Sequence, residues 1–224
     1  MTTKVITIDT QILKKNEIAA SENRELFKKH RVLAINLLSS PGSGKTALLV
    51  NTCSVLKEKI NVSVTVGDLQ TEADALRIAR AGVPVVQINT GTACHLDAHM
   101  VQQSLKSLPL DMTDILFIEN VGNLVCPATF DVGEHLKVVL LSVAEGEEKP
   151  LKYPPIFQHA DCVCINKTDL LPHVDFNLSQ CRDNLQRICP HAPVFEFSCK
   201  TGDGLSTWYN WLLNKWAAAY GEAC

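Results

Sequence analysis

Cys94 and His95 stand side by side in "NTGTACHLDAHM" (89–100), with His99 four residues on and Cys126 in "ENVGNLVCP". Thiolate and imidazole are ligands for borderline transition metals rather than for magnesium. Elsewhere the chain carries groups suited to a nucleotide. "SSPGSGKT" (39–46) has the Gly-rich pattern in which Pro41 opens the loop and successive backbone N–H groups, from Gly42, Ser43 and Gly44 through Ala47, cradle phosphate at a helix N-terminus. Lys45 is expected to reach the β- and γ-phosphates and the Thr46 hydroxyl to ligate Mg²⁺. The pattern departs from G-x-x-x-x-G-K-[ST] at its first position, where Ser39 replaces glycine.

"NKTD" (166–169) has the groups for a guanine pocket. Asp169 can accept from both N1–H and the 2-amino group, whereas adenine would set lone pairs against the carboxylate. Asn166 and Lys167 would shape that pocket, and Ser198, Cys199 and Lys200 form the segment expected to offer backbone N–H to guanine O6. In "FIENVGN", Glu119 ends an apolar run where an NTPase places its Mg²⁺-associated acid, acting directly or through water, and Gly122 suits a backbone contact with the γ-phosphate. Asp68, in "GDLQTEAD", is a second candidate acid for Mg²⁺ or for the attacking water; equally, it could cap the helix that follows. Lys149 and Lys152 in "EGEEKPLKYP" are candidate phosphate cations, from their own or an opposite chain, and equally plain surface lysines.

Seven apolar runs read as strands that would position these groups: 32–38, 62–66, 84–88, 115–119, 138–143, 161–166 and 193–197. Their near-continuous apolar character suits burial on both faces. Helical patterns at 45–60, 72–81, 95–107, 179–188 and 205–219 alternate with them. The expected fold is therefore α/β, a mostly parallel seven-stranded P-loop NTPase sheet with helices on both faces. Residues 1–31 are expected to form an N-terminal helical arm, with Ile12, Leu13, Ile18, Leu26 and Phe27 as its apolar positions, and 32–224 the nucleotide domain. The arm must pack on its own domain or on a partner. The Pro- and charge-rich stretch 144–160 reads as a long loop.

In such a sheet, ligands gather at the carboxyl ends of the strands. Cys94 and His95 follow the third strand there, and Cys126 lies four residues beyond Gly122, which favours one metal site on the nucleotide rim. The competing reading makes Cys94 a buried hydrophobe, His95 a polar group at a helix start and His99 a solvated side chain. A weaker metal reading has His95 and His99 chelating from one helix face. Three ligands leave a tetrahedral site one short, so two chains across a two-fold axis are a natural way to complete it.

The 224 residues are 46% hydrophobic, enough for a sizeable core. The net charge of −3 argues against a nucleic-acid partner, and no run is apolar enough for a membrane partner or a signal peptide, which points to the cytoplasm. The basic cluster "KKHR" (28–31) is expected to end a helix. Of nine cysteines, Cys53, Cys162, Cys164, Cys181 and Cys189 read as small buried hydrophobes, and Cys224 is terminal.

The chain resembles the HypB family of hydrogenase maturation GTPases, kin of the urease accessory GTPase UreG, over about residues 10–219. The likeness rests on "SSPGSGKT", "GDLQTEAD", "INTGTACHLDAHM", "FIENVGNLVCPATFDVGEHLKVVLLSVAEGEEKPLKYP", "INKTDLLP" and "SCKTGDG", with "CHLDA" and "ENVGNLVCPA" favouring the hydrogenase branch. It implies a GTPase that dimerises with GTP and helps deliver nickel to [NiFe]-hydrogenase. The implied partners are a HypA-type nickel chaperone and the hydrogenase large subunit. The implied cofactors are GTP/GDP and Mg²⁺, with Ni²⁺ or Zn²⁺ on Cys94, His95 and Cys126. Some family members carry an N-terminal Cys cluster or His-rich tract; "MTTKVITIDT" is neither, so only the weaker site is expected, and Thr92 stands where lysine is common. Other readings are an accessory GTPase for another nickel enzyme such as urease, a P-loop kinase, for which "NKTD" has no use, and a storage protein with vestigial hydrolysis. Storage favours many ligands, whereas the seven histidines here are scattered.

Overall fold

The computed structural model describes residues 8–68 and 72–221; the first seven residues, 69–71 within "GDLQTEAD", and Cys224 lie outside the described residues. Seven strands form one sheet in the order β3-β2-β4-β1-β5-β6-β7. They are β1 (Leu33–Ser39), β2 (Val62–Asp68), β3 (Val85–Asn89), β4 (Ile115–Glu119), β5 (Leu136–Ser142), β6 (Cys162–Asn166) and β7 (Val194–Glu196). Every neighbouring pair is parallel. The expected α/β architecture is thus the observed one, with strand ends shifted by no more than two residues.

Period-2 alternation along the strands sorts side chains to two covered faces. Leu33, Ile35 and Leu37 of β1 join a core with helices α2 (Lys45–Leu56), α3 (Ala73–Ala79) and α8 (Leu205–Tyr220). On the other face Ala34 packs with α1 (Ile8–His30) and α4 (Ala98–Leu105), and Leu38 with α6 (Pro154–Gln158) and α7 (Leu178–Ile188). Cys53, Cys162, Cys164, Cys181 and Cys189 are all buried in these cores, as expected.

Three expectations need correction. The stretch 144–160 is not a plain loop: it forms α5 (Lys149–Lys152) and α6, with proline in the first turn of each, where a missing N–H costs no helical bond. Burial of Ile156 and Phe157 holds α6 in place. The arm helix packs on its own domain, but through Asn16, Ala19, Ala20, Asn23 and Phe27, while Ile12 and Ile18 are exposed. Asn23 Nδ2 donates to the Ala98 and Val132 carbonyls, and Asn16 Nδ2 donates to Asp131 O while its Oδ1 accepts from Ala98 N, so backbone groups meet both buried amides, with Asn23 Oδ1 left without a partner. The helix ends after Lys28, Lys29 and His30, where Arg31 turns left-handed with φ 58°. The third correction concerns α4, which begins at Ala98 rather than at 95, because Asp97 caps it by accepting from Met100 N at 2.7 Å. No helix among the described residues is long and apolar enough to cross a membrane.

Candidate functional site

The carboxyl ends of all seven strands open on one edge of the sheet, and the sequence-predicted groups collect there. The turn after β1 forms the phosphate loop. Lys45 is buried and its Nζ donates to Ser39 Oγ at 2.8 Å, so the serine that replaces the first glycine holds the lysine. Burial lowers the Lys45 pKa, against the opposing pull of Glu119, Asp74, Glu145 and Asp68. Gly44 sits at φ 103°, and a Cβ there would collide with the Asn166 side chain. Ser43 Oγ donates to Glu145 Oε1 at 2.6 Å, which ties the loop to the segment after β5.

A cavity of about 500 Å³ spans Pro41 to Ala47, Asp68, Asp74, Glu119 and Gly122. At its floor Thr46 Oγ1 donates to Glu119 Oε1 at 2.8 Å. Glu119 is buried, and desolvation pushes its carboxyl up to about 7 against the pull of Lys45. Its Oε2 is buried with no hydrogen-bond partner. A hydroxyl and an orphaned carboxylate oxygen side by side are a donor set suited to a hard dication such as Mg²⁺. Asp68 ends β2 and lines the cavity, and the N-cap position of α3 is Glu72. Gly122 lies against the phosphate loop, since a Cβ there would stand 2.9 Å from Pro41 Cα.

The groups expected around guanine converge on the same loop. Asn166 Nδ2 donates to Ser43 O at 2.9 Å, and its Oδ1 accepts from Lys167 N and Cys199 N. Lys167, at φ 63°, reaches Gly42 O through Nζ at 2.6 Å. Asp169 Oδ1 accepts from Ser198 Oγ at 2.6 Å, and the same Oγ accepts from Lys200 N and Thr201 N.

The two candidate lysines separate. Lys149 Nζ is 3.1 Å from Ser40 Oγ and 3.5 Å from Glu145, at the lip of the phosphate loop. Lys152 is exposed and pairs with Glu148 one turn earlier. Lys149→Ala is expected to weaken GTP binding or turnover by roughly tenfold, the scale of one charge-assisted hydrogen bond. Lys152→Ala is expected to change neither. Equal behaviour of the two variants in GTP titration and turnover would retire the role given to Lys149.

Cys94, His95 and Cys126 come together: one ligand atom from each lies within 4.8 Å of the other two. Cys94 Sγ is 2.8 Å from Cys126 Sγ and 3.8 Å from His95 Nδ1. The hydrogen bond with Cys126, and then burial, push the Cys94 thiol pKa up. His95 packs on Phe130 with ring centroids 3.9 Å apart, and burial lowers its pKa. His99 is not part of the group. It sits inside α4 against Gln103, whereas His95 precedes the helix, so the two share no helix face.

The CobW/HypB/UreG nucleotide-binding domain matches residues 33–196. The hydrogenase maturation factor HypB of Rhizobium leguminosarum bv. viciae is 52% identical over 93% of this chain and 70% of its own length. This chain belongs to the HypB family. The crystal structure of HypB from Helicobacter pylori in complex with nickel superposes with a TM-score of 0.88 at 42% identity, covering 94% of this chain and 99% of that one. A hydrogenase/urease maturation factor HypB of Helicobacter pylori strain J99 is 44% identical over 95% of this chain and 88% of its own length.

Several residues of this HypB-family site escape a reading by motif. Asp74 lines the cavity from α3, and only its place in the acid-rich "GDLQTEAD" marks it. Glu145 is one of three glutamates in "EGEE" and carries no local signal for its contact with Ser43, 102 residues away. Phe130 under His95, and Asn36 and Asn120 under the cavity, are likewise visible only once the sheet is assembled.

Proposed function

We propose that this chain is a cytoplasmic GTP-hydrolysing metallochaperone that supplies nickel to [NiFe]-hydrogenase, with the nucleotide state governing metal transfer. The observation that carries the reading is the gathering of Cys94 and His95, from the loop after β3, with Cys126, on the segment that follows Glu119 and Gly122. The first relative's name and the nickel complex of the second support it.

In this reading the backbone N–H groups of 42–47 and the Lys45 ammonium hold the triphosphate, and Asp169 holds the guanine ring. Bound Mg²⁺, held by Thr46 and Glu119, would neutralise phosphate charge. Asp68, on the cavity wall, orients the water that attacks the γ-phosphorus, giving GDP and phosphate. Gly122, already packed on Pro41, is placed to meet the γ-phosphate through its N–H. Ni²⁺ is the cargo, and Zn²⁺ suits the same thiolate and imidazole ligands. Three ligands leave a tetrahedral site one short, so a GTP-dependent homodimer is proposed to complete it. The remaining partners are a HypA-type nickel chaperone and the hydrogenase large subunit. The hydrogenase/urease relative favours a second recipient, a urease-type nickel enzyme.

The test is linkage. When γ-phosphate draws Gly122 inward, Cys126 moves with it, so metal affinity must depend on the nucleotide. Ni²⁺ affinity, titrated with GDP and with a non-hydrolysable GTP analogue, is expected to differ by at least about fivefold, the low end of ordinary coupling. Cys126→Ala is expected to remove the difference while leaving GTP binding nearly normal. Cys162→Ala, a change in the buried core, is expected to keep it. Equal Ni²⁺ affinity in both nucleotide states would overturn the coupling.

A further inference from the structure

Two asparagines on the seven-residue stretch between Glu119 and Pro127 grip the metal loop from either side of His95. Asn120 Oδ1 accepts from Leu96 N at 2.9 Å. Asn123 Nδ2 donates to Cys94 O at 3.3 Å. The backbone groups on both sides of the His95 residue are thus held by side chains that flank Gly122 at positions −2 and +1. Neither asparagine is a metal ligand. Both are anchored in turn on their own segment: Asn120 Oδ1 also accepts from Val121 N at 3.0 Å, and Asn123 Oδ1 from Val125 N at 2.9 Å.

The inner asparagine is fixed from below. Asn120 is 1% exposed, and its Nδ2 donates to Asn36 Oδ1 at 3.3 Å. Asn36, in the middle of β1, is fully buried, and its Nδ2 donates to Glu134 Oε1 at 3.3 Å. Glu134 Oε2 accepts from Val132 N at 2.8 Å. A fully satisfied buried polar chain of this kind has few alternative arrangements. It makes Asn120 a stiff connection rather than a loose surface contact.

We propose that Asn120 and Asn123 are the positioning residues that couple the nucleotide to the metal, by forcing the loop 94–96 to follow the segment 120–123. The geometry makes the metal loop and the γ-phosphate segment one mechanical unit at two points 3 residues apart in sequence on the segment and 2 apart on the loop. A displacement of Gly122 is therefore transmitted to Cys94 and His95 as well as to Cys126, and the three ligand atoms move together relative to the ligand that a second chain would supply. This inference rests on the nucleotide–metal coupling proposed above and names the groups that carry it.

The experiment compares the ratio of Ni²⁺ affinities with the GTP analogue and with GDP in the parent and three variants. Asn123→Asp is nearly isosteric, keeps the acceptor for Val125 N and loses only the donor to Cys94 O. Its added charge acts on Ni²⁺ in both nucleotide states and cancels in the ratio. Its ratio is expected to fall to less than half of the parent's. Asn120→Ala loses both of its outward bonds and is expected to bring the ratio to within about twofold of one. Asn120→Asp keeps the acceptor for Leu96 N, so it is expected to restore most of the ratio, although losing the donor to Asn36 lowers thermal stability. A purely structural role would lower stability in both Asn120 variants without separating their ratios, and that result overturns the assignment. Retention of the parent ratio in Asn123→Asp overturns the bracket even if Asn120→Ala fails to fold. A parent ratio of one overturns the coupling itself, an outcome distinct from a parent that couples and variants that couple equally.

Discussion

Lys45→Ala is expected to abolish measurable GTP hydrolysis and to weaken GTP binding by at least roughly 2 kcal/mol, about thirtyfold. One charge-assisted hydrogen bond to phosphate sets the lower limit. The surroundings raise it: Glu119, Asp74, Glu145 and Asp68 all act electrostatically on the Lys45 ammonium. Without that cation the negative charge of a triphosphate is left facing these acidic groups with no positive charge between them. The fold is expected to survive, because the Lys45 side chain contacts Ser39 Oγ at the end of β1 rather than the hydrophobic core. Isothermal titration with GTP, beside circular dichroism of the same sample, separates lost binding from lost structure. Unchanged GTP affinity would reject the phosphate-loop assignment.

Most of the architecture is legible because buried parallel strands write themselves as apolar runs. β4 is the clearest case: "ILFIE" is a strand from Ile115 to Glu119 and every residue in it is buried. Other elements carry a local signal that differs from what buries them. In α1 the helix itself is plain, but hydrophobicity points to Ile12 and Ile18, which are exposed, while the buried stripe includes Asn16 and Asn23. Those asparagines are inside because backbone groups of Ala98, Asp131 and Val132 meet them, and such partners lie 75 to 115 residues away. In 144–160 the prolines read as chain breakers, though proline in a helix's first turn is a starter. That ambiguity is resolved only by what Ile156 and Phe157 pack against.

The candidate site divides in the same way. Motif residues are legible because phosphate, guanine and metal each demand particular groups at fixed offsets, and the strand ends bring Lys45, Glu119, Asn166 and Cys94 to one edge. The groups that support them are not legible. Glu145 beneath Ser43 and Asn120 beneath Leu96 are ordinary polar residues in sequence, and their meaning comes from contacts between the segments that follow different strands. The proposed chelation by His95 and His99 failed for a local reason. Asp97 starts α4 one residue before Ala98, so the spacing of four is not a helical spacing there.

Asp169→Asn is expected to exchange the preferred nucleotide from GTP to XTP. In the parent the carboxylate is already oriented, because Ser198 Oγ donates to Oδ1 and Ser198 Oγ is itself held by the N–H groups of Lys200 and Thr201. A carboxylate fixed in this way accepts from guanine N1–H and the 2-amino group at little further entropic cost. Each bond to the charged acceptor is worth roughly 1.5–3 kcal/mol. Xanthine replaces the 2-amino donor by a carbonyl, which opposes the carboxylate, so the parent is expected to prefer GTP by about 10⁴-fold, as sites built on buried hydrogen bonds do. The asparagine amide supplies a donor to that carbonyl and keeps one acceptor. Ser198 Oγ can still donate to the amide oxygen, so the pocket's wall is kept. GTP affinity in the variant is expected to fall by about 10²-fold or more, with two guanine donors facing one acceptor. XTP is expected to bind and be hydrolysed in its place. Competition of GTP and XTP for a fluorescent nucleotide analogue, run on parent and variant, measures both numbers; a variant that discriminates as the parent does places the guanine pocket elsewhere on the strand-end edge.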